Sequence, residues 1–329
     1  MTPDHPVEES GRRRAFWILI AVVAVAIVPA GVFGWGVIAE LGDELRAGRV
    51  REAELLTAQV DQFVNDAFFD LELAAAALAP GPGDDLVRGL ENGSHSSSLD
   101  VATLATLLFD QRGQIVETRP TAFVTAQRDA TWGSEVASVL AESTSSISPP
   151  FSLAGGDEVV AALGVPIFAA TGGRVGTLVG LIDLSGPVMA GFIEPANRIG
   201  VTGHADLVDD RGMVLVSTNP SHVLSTGDHP EFYAEAAELR SPVVRTVPHG
   251  AGEGDFDLSS KHVMAWVPLR NAPWAVALGA SEAETMAPVT QLRRTLVATG
   301  IASLVVLLGG IAVAFRVWHP NSVGRPTET

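Results

Sequence analysis

The sequence predicts an α+β protein: two tandem modules with antiparallel sheets, reached by a long helix and flanked by two transmembrane helices. Three observations lead there. Two uncharged apolar runs, Ala15–Ile38 and Thr295–Phe315, lie near the ends of the 329-residue chain. A stretch of helical periodicity follows the first run directly. A strand–turn–strand pattern occurs twice, about 100 residues apart.

Each run reaches the roughly 20 residues that a helix needs to cross a bilayer core. Arg12, Arg13 and Arg14 precede the first and Arg316 follows the second. Basic residues are retained on the cytoplasmic side, so both termini are expected in the cytoplasm, with the main domain extracytoplasmic; the use of 20 arginines against the one lysine, Lys261, is read as that of a bacterial chain, so the membrane is expected to be a bacterial plasma membrane. Arg46, Arg49, Arg51, Arg293 and Arg294 flank the runs on the other side, but long segments translocate largely regardless of charge. The first run exceeds the about 7–15 residues of a signal-peptide core, which favours an uncleaved anchor. The expected organisation begins with a tail over 1–14 and a span over 15–38. It ends with a span over 295–315 and a tail over 316–329. Tails this short are too small to fold, so no output module is expected on this chain.

The segment between the runs carries the acid. Of 38 acidic residues, Asp4, Glu8, Glu9 and Glu328 alone lie outside it, and the whole chain has a net charge of −17. Phosphate backbones need basic surface, so nucleic acid is excluded as a partner. The absence of cysteine excludes disulfides, thiolate metal sites and thiol nucleophiles. No P-loop, G-x-S-x-G, H-E-x-x-H or kinase motif occurs. Gly155-Gly156-Asp157-Glu158 spells a cyclase-like signature without a nucleotide-binding context. No catalytic residue and no cofactor are expected, and the chain is read as a non-enzyme.

Residues 39–98 are expected to form a long helix and a loop. Leu41, Leu45, Leu55, Val60, Phe63, Val64, Phe68, Leu71 and Leu78 recur near helical spacing, and Pro80-Gly81-Pro82-Gly83 ends the helix. The repeat then begins. Phe109-Asp110-Gln111-Arg112-Gly113-Gln114-Ile115-Val116 is echoed by Val208-Asp209-Asp210-Arg211-Gly212-Met213-Val214-Leu215. Glycine supplies the left-handed turn position and aspartate bonds the backbone ahead of it, so each reads as a β-hairpin. A second echo pairs Val160–Ile167 and Val175–Leu184 with His262–Leu269 and Trp274–Ala280. Both members have a first strand closing on Val-Pro, where a proline does least harm to the ladder. The modules are expected over 99–184 and 201–281, joined by a linking helix over 185–200. An exit helix over 282–294 leads to the second span.

This arrangement resembles the double Cache family of bacterial extracytoplasmic sensors, which stack two PAS-like modules on a long helix rising from the membrane. The matching pieces are Asp110-Gln-Arg-Gly, Val165-Pro-Ile with Gly176-Thr-Leu-Val-Gly-Leu-Ile-Asp183, Asp209-Asp-Arg-Gly, Trp274-Ala-Val-Ala-Leu-Gly and Ala287-Pro-Val with Leu292-Arg-Arg. The resemblance covers about 39–294. It implies a small-molecule ligand, an amine or a carboxylate, in the membrane-distal module. Asp183 matches the family's closing aspartate, and Arg128 and Trp132 lie in the matching region with altered spacing. The only tyrosine, Tyr233, falls in the second module, so the family's amino-acid motif is incomplete. Ligand-binding residues are therefore expected at Asp183, Arg128 and Trp132. His204, His222, His229, His249 and His262 crowd the second module without helical ligand spacing. They are expected to be isolated and solvent-facing, with no metal site. The expected partners are the ligand, a second copy paired through the 39–79 helix, and a separate signalling protein such as a kinase. A cell-envelope assembly protein that binds another protein is the alternative reading.

Overall fold

The computed structural model describes residues 7–80, 103–120, 134–153, 158–198, 200–248 and 261–318, with side chains from 31 to 197 and 200 to 313 within those ranges. The chain divides into two compact units, Arg46–Glu284, and Met1–Leu45 with Thr285–Thr329.

In Arg46–Glu284 the organising element is α1 (Val7–Leu78). Its stretch within this unit turns a continuous stripe inward: Ala53, Leu56, Val60, Val64, Ala67, Leu71, Ala74 and Leu78. The steps of three and four residues keep these side chains on one face. Each fully buried Val or Leu contributes about 1.5–3 kcal/mol, which is what fixes the helix on the sheets. Helix α1 stops one residue before the Ala79-Pro80 junction, because the residue ahead of a proline is pushed out of the helical region.

Two antiparallel sheets pack on this stripe. The first contains β1 (Ala105–Asp110), β2 (Ile115–Arg119), β3 (Ser146–Ile147), β4 (Phe151–Ser152), β5 (Val159–Phe168) and β6 (Arg174–Asp183), in the order β2-β1-β6-β5-β3 with β4 also paired to β5. The second contains β7 (His204–Asp209), β8 (Val214–Ser217), β9 (Val243–Pro248), β10 (Lys261–Pro268) and β11 (Trp274–Ser281), in the order β8-β7-β11-β10-β9. The two orders are equivalent, strand for strand. The helix α2 (Ser134–Ala141) precedes β3 as α4 (Pro230–Leu239) precedes β9. Between the modules lie α3 (Pro187–Ile193) and a 3-10 helix (Glu194–Arg198). The expected α+β fold of two PAS-like sheets on a long N-terminal helix is therefore present.

The two D-x-R-G turns are built alike. Asp110 Oδ1 accepts from the backbone N–H of Arg112 and of Gln114, both at 2.8 Å, and Asp209 Oδ1 accepts from Arg211 at 2.9 Å and Met213 at 2.8 Å. Gly113 and Gly212 hold φ of 72° and 81°, a region glycine enters at little cost.

Alternation along each strand divides the core. Leu163, Leu178, Ile182, Leu207, Ala265 and Leu278 face α1. Leu107, Phe109, Val179 and Leu181 face α2, while Val208, Met264, Trp266 and Ala277 face α4. Polar staples fasten α1 to both sheets. Asp61 Oδ1 accepts from the N–H of Arg270 (3.0 Å) and Asn271 (2.9 Å) in the β10–β11 turn, and Ser145 Oγ donates to Glu72 at 2.7 Å.

The second module closes on a carboxylate clasp. Glu284, in α5 (Glu282–Thr285), accepts from Val201 N at 2.6 Å, Thr202 N at 3.0 Å and Thr202 Oγ1 at 2.5 Å. The Thr202 hydroxyl, and then the Val201 N–H, hold its carboxyl below the ordinary value near 4.5. A depressed folded-state pKa gives stability that is complete above the unfolded value and is lost as pH falls through the folded one. A Glu284→Gln variant is therefore expected to melt with a flatter acid limb than wild type below about pH 4.5, with matching melts near neutrality except for a constant offset.

In the other unit, α6 (Ala287–Trp318) packs beside the start of α1. The Arg293 guanidinium lies 5.4 Å from the Trp35 ring centroid, and Leu296 covers Gly34. Among the described residues one helix segment, Ala287–Val313, is long and apolar enough to cross a membrane, with a mean hydropathy of 2.4. The first apolar run lies in α1, where side chains before residue 31 are outside the described residues.

Candidate functional site

In the first module the face of the sheet opposite α1 is covered by α2, whose Val136 and Val139 meet Leu107, Phe109, Val179 and Leu181. Asp183 closes β6 and, by the two-residue alternation of a strand, falls on the same side as Val179 and Leu181. Its Oδ1 accepts from Ser185 N at 3.0 Å and Ser185 Oγ at 2.9 Å. Its Oδ2 lies beside Gly186, where an added Cβ would stand 2.5 Å away. Asp183 is thus held at the rim of an apolar face with one oxygen engaged locally. Arg128 and Trp132 lie outside the described residues.

The corresponding face of the second module is polar. His204, Asp206 and Val208 alternate inward from β7 toward α4. Asp206 is 1% exposed, and its two oxygens accept from Tyr233 Oη and Ser217 Oγ, both at 2.5 Å. Tyr233 is wholly buried; burial first, and then the Asp206 charge, push its phenol well above its ordinary range.

Beside this network stand three histidines. His204 opens β7 and pairs with Gly279 of β11, while His262, in β10, pairs with Ser281 two residues further on. His229 enters from the N-cap of α4. The ring centroids are 5.8 Å apart for His204–His229, 5.3 Å for His204–His262 and 5.2 Å for His229–His262. His229 and His262 are buried. This corrects the expectation of isolated, solvent-facing histidines. The reason is topological: β11 sits between β7 and β10, so residues distant in sequence meet diagonally across it. His222 stands apart, against Asp228 at 3.3 Å and Asn219 at 2.8 Å, and His249 is outside the described residues. Sequence reasoning also missed the pairing of Asp206 with Tyr233. The available signal was the H-x-D-x-V alternation of β7, which puts polar residues on a face that a half-buried strand reserves for apolar ones.

No protein-family model matches the sequence, and no curated protein matches it. Solved structures do. The ligand-binding domain of the Pseudomonas aeruginosa amino acid chemoreceptor PctC, in complex with GABA, is 22% identical over 70% of this chain and 96% of that one, with a TM-score of 0.50. That of the PctB receptor of the same organism, in complex with L-arginine, is 19% identical over 77% and 94%, with a TM-score of 0.53. That of the Pseudomonas fluorescens chemoreceptor CtaA, in complex with L-leucine, is 18% identical over 74% and 97%, with a TM-score of 0.52. The chain has the fold of chemoreceptor ligand-binding domains, in keeping with the double Cache resemblance. At these identities it is the fold that is shared.

Proposed function

We propose that this chain is a membrane-anchored, extracytoplasmic small-molecule sensor. The observation that carries the reading is the duplicated sheet topology on one long helix, shared with domains whose structures hold GABA, arginine and leucine. In this proposal the spans are 15–38 and 295–315, both termini are cytoplasmic, and the modules occupy 99–184 and 201–281. The apolar Ala287–Val313 segment supports the second span. The first module takes the ligand, an amine or a carboxylate, between its sheet and the segment leading into α2. Asp183 pairs with a ligand amine through a charge-assisted hydrogen bond, Arg128 meets a carboxylate, and Trp132 packs against the carbon skeleton. A second copy pairs through α1, where Leu55, Phe69 and Leu73 remain more than half exposed. A separate signalling protein such as a kinase reads the result. A ligand shifts the receptor only by its differential affinity for two states, so the reading requires two arrangements of the module around one site.

The test is a thermal-shift screen of the whole chain in detergent against amino acids, amines and carboxylates. A ligand at a hundred times its Kd adds about 2.7 kcal/mol, so one chemical class is expected to raise the melting temperature by several degrees. Asp183→Ala is expected to abolish the shift given by amine-bearing compounds, and to lower the unliganded stability by about 0.5–1.5 kcal/mol for the lost hydrogen bonds from Ser185. No shift from any class would sink the sensor reading; an unchanged shift in Asp183→Ala would remove Asp183 from the site.

A further inference from the structure

The structure assigns a second, chemically different site: we infer that His204, His229 and His262 bind one divalent transition-metal ion, Zn²⁺ or Cu²⁺, inside the second module. Each histidine offers one ring nitrogen such that the three ligand atoms all lie within 4.8 Å of one another. Zinc bonds imidazole nitrogen at roughly 2.0–2.1 Å, so an ion held by all three would draw the rings closer together. The three come from three elements (β7, the N-cap of α4, and β10), so the fold, rather than a local loop, holds them together.

Two further observations point to a ligand rather than to packing. His204 Nδ1 lies 3.3 Å from the carbonyl oxygen of Thr202. A proton on Nδ1 donates to that carbonyl and leaves Nε2 with its lone pair, which is the outer hydrogen bond that metal-bound histidines commonly make. That Nε2 is buried without a hydrogen-bond partner among the described residues, an arrangement that costs stability unless something occupies the lone pair. The backbone also makes room. A Cβ on Gly279 would stand 2.6 Å from His204 Nε2 and 2.2 Å from Met264 Sδ, so any other residue there would displace the ring and the thioether. Met264 Sδ thereby lies beside the trio on the same face, a soft neighbour that suits copper better than zinc. Imidazoles without a carboxylate among them do not suit Mg²⁺ or Ca²⁺, which take oxygen ligands. His204 is the partly exposed member of the three, and so marks the way in for the ion.

The experiment uses the whole chain in detergent, stripped with a chelator and then titrated calorimetrically with Zn²⁺, Cu²⁺ and Mg²⁺. One equivalent of Zn²⁺ or Cu²⁺ is expected to bind and to raise the melting temperature, with no response to Mg²⁺. His204→Ala is expected to weaken binding by at least the roughly hundredfold that loss of an outer hydrogen-bond partner alone can cost, and His222→Ala to leave it unchanged. Met264→Leu is expected to weaken Cu²⁺ binding and spare Zn²⁺. The electron paramagnetic resonance spectrum of the Cu²⁺-loaded wild-type chain is expected to show coupling to three nitrogens, a reading that does not depend on any variant folding. Binding that survives in His204→Ala but fails in His222→Ala would place the ion on the partly buried pair His222–Asp228 and overturn the proposal, as would a copper spectrum with fewer than three nitrogen couplings. None of these outcomes bears on the ligand screen of the first module.

Discussion

Replacing Leu163 by alanine is expected to cost about 2–5 kcal/mol, the range for emptying a fully buried leucine position. Leu163 is 0% exposed, in the middle of β5, and belongs to the cluster that α1 shares with both sheets. That sharing makes a second expectation. Residues from the first module (Leu163, Leu178, Ile182) and the second (Leu207, Val276, Leu278) lie in one continuous cluster with the α1 stripe, so both modules should lose structure together. Urea unfolding of the variant, followed by far-ultraviolet dichroism and by tryptophan fluorescence, should show one transition with a lowered midpoint and an unchanged slope. Separated transitions would mean that α1 does not couple the modules.

Tyr233→Phe is the second change with a large expected effect, about 1.5–3 kcal/mol, because the hydroxyl it removes is bonded to a buried carboxylate. Asp206 would keep Ser217 Oγ as its described side-chain donor and lose the phenol. Tyr233 is also the only tyrosine in the chain, so an absorbance titration of tyrosinate reads this residue alone. Its folded-state pKa is raised, with burial the chief cause. The neutral phenol therefore contributes stability that is complete below the ordinary value of 10.0 and is lost as pH rises past it. Wild type is expected to show no tyrosinate until it unfolds in alkali, and Tyr233→Phe to have a flatter alkaline limb. Tyrosinate appearing near pH 10 in the folded protein would contradict the buried pairing.

What the sequence disclosed and what it concealed follow the range of the interactions. The D-x-R-G turns were legible because an Asx turn and a left-handed glycine are complete within five residues, and both occur with nearly the same hydrogen bonds. The helical period of residues 39–79 was equally plain, but the period did not say which apolar residues would be covered. Leu55 counted toward the stripe and is 68% exposed, while Ala53, Ala67 and Ala74 are buried. A helix lying against a sheet favours small residues where the backbones come closest, a preference that hydrophobicity alone does not express. The histidine cluster was hidden for a related reason. Its members become neighbours only once β11 is known to lie between β7 and β10, and no local spacing encodes that order. Asp183 is proposed as a ligand contact through the family resemblance, whereas the polar face of the second module departs from the apolar face of the first and has no such guide.

The hydrogen bonds from Arg270 and Asn271 to Asp61 join groups 209 and 210 positions apart. During synthesis, then, the helix emerges long before the turn that will cap it. The stretch of helix around Thr57 and Asp61 must wait for its partners while some two hundred residues are made, since such distant pairings form late and at an entropic cost. The first sheet is able to take its share of the stripe as soon as β6 appears, leaving the portion around Asp61 waiting for β10 and β11. Nascent chains halted between these points are accordingly the ones most exposed to aggregation, and the ones on which a chaperone has most to do.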